Sequence, residues 1–218
     1  TTEKHKIIPT ILSRCQIFDF NRIKVDEAVQ YLEEISQKEN IQYETDALTI
    51  IAQKADGAMR DALSIYDQVV SFSGNHITYD KVIENLNILD YDYYFRLTDA
   101  FLKEDHKEAL MIFNEILNHG FDAHQFINAL SKHFRDLLVC KDPQTLDLME
   151  VGAGIKEKYK VQSQQTSVDF LIHALKITNQ YDVSYRNSMN QRLHIELALI
   201  ELAQIESAKK KVKAPAQS

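Results

Sequence analysis

The sequence predicts an all-α fold, and three observations carry that prediction. Glycines number only five and prolines three in 218 residues, so helix breakers are scarce. Apolar residues recur at three- and four-residue spacing over most of the chain, the period of one helix face. Residues suited to helix starts and stops stand at the ends of those periodic runs. The composition, 44% hydrophobic and 26% charged, is that of a globular protein with room for one large or two small domains.

The elements follow in order. Pro9 suits the first position of a short helix, where its missing N–H has no intrahelical partner to lose. Residues 10–14 then make about one turn. "QIFDF", with Ile17, Phe18 and Phe20, predicts a short strand or extended connector. From Val25 the period becomes helical, with Ala28, Val29, Leu32 and Ile35 on one face. Thr45 is the expected N-cap of a second helix that carries Ala47, Leu48, Ile51, Ala52 and Ala55 and ends at Gly57. "AMRDALSIYDQVVSFSG" predicts a third, with Ala62, Leu63, Tyr66, Val69 and Val70 inward and a stop at Gly74. Thr78 caps a short fourth. These four helices make a compact unit over 21–87.

A second unit is predicted over 88–206. Asp105 and Glu108 have capping-box spacing, and the helix they open ends at Gly120, a residue suited to the position after a C-cap. "DAHQFINALSKHFRDLLVC" continues helically. Residues 141–166, with Pro143, Gly152 and Gly154, are expected to be rich in loops with one short helix. Two more helices follow. The last is apolar on nearly every side, at Leu193, Ile195, Leu197, Ala198, Leu199, Ile200, Leu202 and Ala203, which predicts burial on several sides or a subunit interface. The stretch 207–218 is basic and expected to be disordered. A helix pair such as "YYFRLTDAFLKEDHKEALMIFNEILNHG" also suits a repeat scaffold, but no second copy occurs at a fixed period.

Several function classes are disfavoured. The formal net charge of −7 argues against a general nucleic-acid coat, though not against a local basic patch. No apolar run reaches the ~20 residues of a membrane span. Cys15 and Cys140 lie far apart and neither is in a C-x-x-C pair, so neither a zinc site nor a disulfide framework is indicated and a reduced, cytoplasmic protein is expected. No Ser/His/Asp or Cys/His set stands out, no carboxylate-rich metal motif follows Thr1 and Thr2, and there is no G-x-x-x-x-G-K-[ST] to cradle phosphates. This chain alone is expected neither to hydrolyse a nucleotide nor to bind ATP more than weakly.

Two arginines are candidates for function. Arg60 stands in the first turn after Gly57, where the helix dipole opposes a cation and the open N–H groups attract an anion. Its plain role is a surface residue offset by Asp61, and its functional role is to help hold a phosphate. Arg14, in Ser13-Arg14-Cys15, follows a single helical turn and agrees with the dipole. It is either a surface cap on the last carbonyls or an arginine finger, a mounted guanidinium that neutralises charge on a transferring phosphoryl group. Spacing alone does not choose.

Ser13-Arg14-Cys15, followed about 45 residues later by "GAMRDALSIYDQ", resembles the later part of the clamp-loader AAA+ ATPases. The second motif is similar to the sensor-2 helix of the bacterial DNA polymerase III gamma/tau family, with Ala58 and Met59 in place of that family's usual Ser and Leu. The resemblance implies a sensor-1 role for Thr2 (or Thr1), a trans-acting arginine finger at Arg14 and a sensor-2 role for Arg60, with no metal ligand in this chain. It implies the end of an AAA+ core over 1–20, a lid over 21–87, a collar over 88–206 and a basic tail over 207–218. ATP with Mg would serve the full-length protein, and none is expected for this fragment alone. Partners would be other clamp-loader subunits (gamma/tau copies, delta and delta-prime) through the collar, and the sliding clamp and primed DNA in the full assembly, with no membrane. The phosphate-binding parts are expected upstream of Thr1. Alternative readings are a delta-prime-like or small clamp-loader subunit, or a helical scaffold that is not an ATPase.

Overall fold

The structure, a computed structural model, describes residues 6–18 and 20–213, with the side chains of 147 and 208–213 left aside. Eleven α-helices make up nearly all of it among the described residues. α1 is the four residues Pro9–Leu12, with Pro9 at its first position. The extended connector expected at 16–20 forms no strand among its described residues.

The first unit holds α2 (Val25–Lys38), α3 (Thr45–Lys54), α4 (Met59–Ser73) and α5 (Tyr79–Asn85). α3 is its centre, with Ala47, Leu48 and Ile51 fully buried against α2, α4 and α5. Full burial of a Leu or Ile side chain contributes about 1.5–3 kcal/mol. Ser36 and Tyr66, both buried, share a 2.7 Å hydrogen bond between α2 and α4. Two two-residue strands, β1 (Gln42–Tyr43) and β2 (His76–Ile77), pair in parallel and were not foreseen. The α3 cap differs as well: Glu44 is the N-cap residue and Thr45 begins the helix. The Glu44 carboxylate is taken instead by the Tyr79 N–H at 2.7 Å. Thr78 caps α5, and Gly74 ends α4 at a φ of +66°.

The second unit holds α6 (Tyr91–Leu102), α7 (His106–Asn118), α8 (Ala123–Val139), α9 (Ala153–Gln165), α10 (Val168–Tyr185) and α11 (Gln191–Lys213). A 3-10 turn over Pro143–Leu148 precedes α9. Asp105 caps α7 through the Glu108 N–H at 3.0 Å. The loop-rich reading of 141–166 is corrected by α9, whose 13 residues occupy half of it. Gly152 and Gly154 do not break this helix because they stand at its start, where the first N–H groups have no intrahelical partner to lose. α11 stays helical to Lys213, into the stretch expected to be disordered from 207.

A polar chain crosses this second core. His133 on α8 accepts from or donates to Tyr159 at 3.0 Å through Nδ1 and meets the Gln162 amide oxygen at 3.2 Å through Nε2. The Gln162 amide nitrogen donates to the Phe95 carbonyl at 2.8 Å and to Asp99 at 2.7 Å. An amide oxygen only accepts, so Nε2 carries the proton and Nδ1 accepts from the Tyr159 hydroxyl. Burial pushes the His133 pKa down to about 3. Below the unfolded value near 6.5 the unfolded chain therefore binds a proton that the folded chain refuses, and stability falls as the pH drops from there toward 3. His133→Gln should unfold at lower pH than the parent in an acid titration followed by circular dichroism. An unchanged acid midpoint would show that other groups govern it.

Candidate functional site

Segment 6–18 and the start of α4 present the two candidate arginines. Around Arg14 the chain is bound to itself: the Ser13 N–H donates to the Pro9 carbonyl at 2.9 Å, the Arg14 N–H to the Ile11 carbonyl at 3.0 Å, and the Ser13 hydroxyl to the Thr10 carbonyl at 3.2 Å. A short turn thus carries an exposed Arg14 side chain that bonds no other described residue. Arg60 lies in the first turn of α4 and is also exposed. Ala58 is the α4 N-cap residue and offers no side chain to the first N–H groups, while Asp61 in the first turn sets a carboxylate against their partial positive charge. Neither arginine side chain shares a hydrogen bond or ion pair with the other, and the two stand on separate elements, α4 for Arg60 and the turn after α1 for Arg14. Thr1 and Thr2 lie outside the described residues.

The turn before α4 is closely held. Asp56 and Gly57 are both left-handed, at φ values of +49° and +78°. Arg22 from the linker into α2 donates to the Asp56 carbonyl at 3.0 Å and pairs with the Asp56 carboxylate. The bond to the Asp56 carboxylate, and then its charge, raise the pKa of the Arg22 guanidinium. The sequence did not single out Arg22. Its partner is 34 residues away, and the available signal was the Asp-Gly pair itself, a strong turn marker.

The two units meet along α3. Gln53 donates to the Glu150 carbonyl, and the Tyr91 hydroxyl reaches Gln53 at 3.5 Å. A Cβ added at Gly152 would overlap the Asp46 carboxylate, and one at Gly154 would lie 2.6 Å from Asp46 Oδ2. Between the units opens a cavity of about 310 Å³ lined by Gln53, Lys54, Tyr91, Lys132 and Asp136 among others. Burial pushes the Asp136 carboxyl up, against the opposing pull of its Arg135 hydrogen bond. Among the described residues no group of three or more His, Cys, Asp or Glu side chains is placed to hold a metal, and no helix is long and apolar enough to cross a membrane.

A four-helix unit joined to a larger helical bundle is the architecture that the comparisons with known proteins assign to clamp-loader subunits. Residues 27–75 match the "DNA polymerase III clamp loader subunit, ATPase lid domain" and residues 77–217 match "DNA polymerase III subunits gamma and tau domain III". The chain belongs to the gamma and tau subunits of DNA polymerase III. The tau subunit of Bacillus subtilis is 33% identical over 94% of this chain and 36% of its own length. A gamma subunit of Buchnera aphidicola is 28% identical over 93% of this chain and 56% of its own. The chain therefore spans roughly a third to a half of these relatives. The Bacillus subtilis clamp loader delta protein shares the fold, at a TM-score of 0.51 and 17% identity over 93% of this chain and 63% of its own.

Proposed function

We propose that this chain is the lid and collar portion of a subunit that, in the complete protein, binds ATP with Mg and uses its hydrolysis to load a sliding clamp onto primed DNA. Residues 1–20 end the ATPase core, 21–87 form the lid, 88–206 form the collar, and 207–218 are a basic tail. Other clamp-loader subunits (gamma/tau copies, delta and delta-prime) join it through the collar.

The observation that carries this reading is Arg60, an exposed guanidinium on an uncapped helix start. Both features attract a phosphate. In this reading Arg60 contacts the nucleotide of its own subunit, Arg14 contacts a neighbour's, and Thr2 senses the terminal phosphate from the core. The residues fit the edge of a nucleotide site and not its centre, because the phosphate loop and the metal-binding carboxylates belong to the core. The bound metal would offset charge on the phosphates.

Arg60→Ala in the complete clamp loader should raise the KM for ATP ten- to a hundred-fold, the loss of one charged hydrogen bond of about 1.5–3 kcal/mol. A steady-state ATPase titration reads it. A KM equal to the parent's would remove Arg60 from the nucleotide site.

A further inference from the structure

The linker into the first unit is fastened to the turn that precedes α4 by two consecutive residues, and the residue after them starts α2. Arg22 holds the carbonyl and carboxylate of Asp56. The Ile23 N–H donates to the Gly57 carbonyl at 3.2 Å. The Lys24 N–H donates to Glu27 at 3.2 Å and fixes the start of α2. Gly57 has no room for a side chain on this side. A Cβ there would lie 2.6 Å from Arg22 Cβ and 3.1 Å from the Ile23 carbonyl oxygen.

We propose that Arg22 is a positioning residue for Arg60. Segment 20–24 has no regular structure of its own, so the direction in which the first unit leaves segment 6–18 is set by what that linker grips. It grips the one turn from which α4 starts, three residues before Arg60. The Arg22 and Asp56 side chains are 67% and 77% exposed, and an exposed ion pair adds little to stability. Position is another matter, because a displacement of about 1 Å takes a guanidinium out of hydrogen-bond range of a phosphate and weakens that contact. The grip on Asp56 thus acts on where the Arg60 guanidinium reaches rather than on whether the unit folds. Both contacts come from one guanidinium nitrogen, Nη1, and lysine is an incomplete substitute because its ammonium sits on a shorter, more flexible stem.

This inference rests on the nucleotide-sensing role of Arg60, and a double-mutant cycle in the complete clamp loader separates the two. Arg22→Ala should raise the KM for ATP about tenfold with a smaller change in kcat, and Arg22→Lys should recover part of it. In an Arg60→Ala background, Arg22→Ala should add less than about twofold, because residues acting through one contact are not additive. Thermal unfolding of the purified subunit, followed by circular dichroism, should be the same for Arg22→Ala and the parent. Should that variant fail to fold, Asp56→Asn keeps a residue that tolerates the left-handed turn and removes the same charge pairing. An unchanged KM in whichever variant folds, or full additivity with Arg60→Ala, overturns the positioning role. An Arg60→Ala enzyme with parental KM overturns the nucleotide reading instead.

Discussion

Arg14→Ala in the complete clamp loader should lower DNA-stimulated ATP hydrolysis by on the order of a thousand-fold at the affected sites, the usual effect of losing an arginine finger. Assembly should be intact, because the exposed side chain bonds no other described residue and the turn beneath it is closed by backbone bonds from Ser13 and Arg14 to Pro9 and Ile11. Arg14→Lys should remain impaired, since an ammonium is a point charge and not a bidentate fork. Steady-state ATPase assays with primed DNA and the clamp, run beside size-exclusion chromatography, read both halves. A parental rate would remove Arg14 from the mechanism.

The second large effect separates two leucines that the sequence treats alike. Leu199 is fully buried in the α11 core, while Leu197 is 46% exposed on the same helix, beside the half-exposed Leu193. Leu199→Asp leaves an unpaired charge where about 2–5 kcal/mol of packing stood. That is enough to consume much of a typical stability of about 5–15 kcal/mol. The second unit should lose its cooperative thermal transition. Leu197→Asp should keep the circular dichroism spectrum and melting temperature of the parent and instead weaken the clamp-loader oligomer on a sizing column, if the 193/197 face meets a neighbouring collar. Normal assembly by a folded Leu197→Asp protein would place the interface elsewhere.

Helices were legible wherever their signals were local. Thr78, Asp105 and Gly120 announce ends within one turn of themselves, and the periods of α2, α4, α7 and α8 follow one buried face each. α9 was hidden by its own composition. Of its four buried residues two are Gln162 and Ser163, so a polar sequence conceals an inward face built on hydrogen bonds. β1 and β2 are two residues long and more than 30 apart, too short for any alternation to register. The apolar girdle of α11 said that several sides are covered but not which leucine lies on which side, because that depends on where α6, α7, α8 and α10 sit. The site divides the same way. Arg14 and Arg60 stood out in short motifs, whereas Arg22 is defined only by a turn that the fold carries to it.

The contact of Asp46 with Gly152 and Gly154 has a mechanical meaning. It is a splice between two levers. The close approach of the glycine backbone to the Asp46 carboxylate leaves little slack for α3 to rotate without carrying α9 along. A 13-residue helix is about 20 Å long, so a tilt of roughly ten degrees delivered at its start sweeps its far end through about 3.5 Å. A small nucleotide-dependent swing of the first unit would arrive in the second as a displacement the size of a side chain.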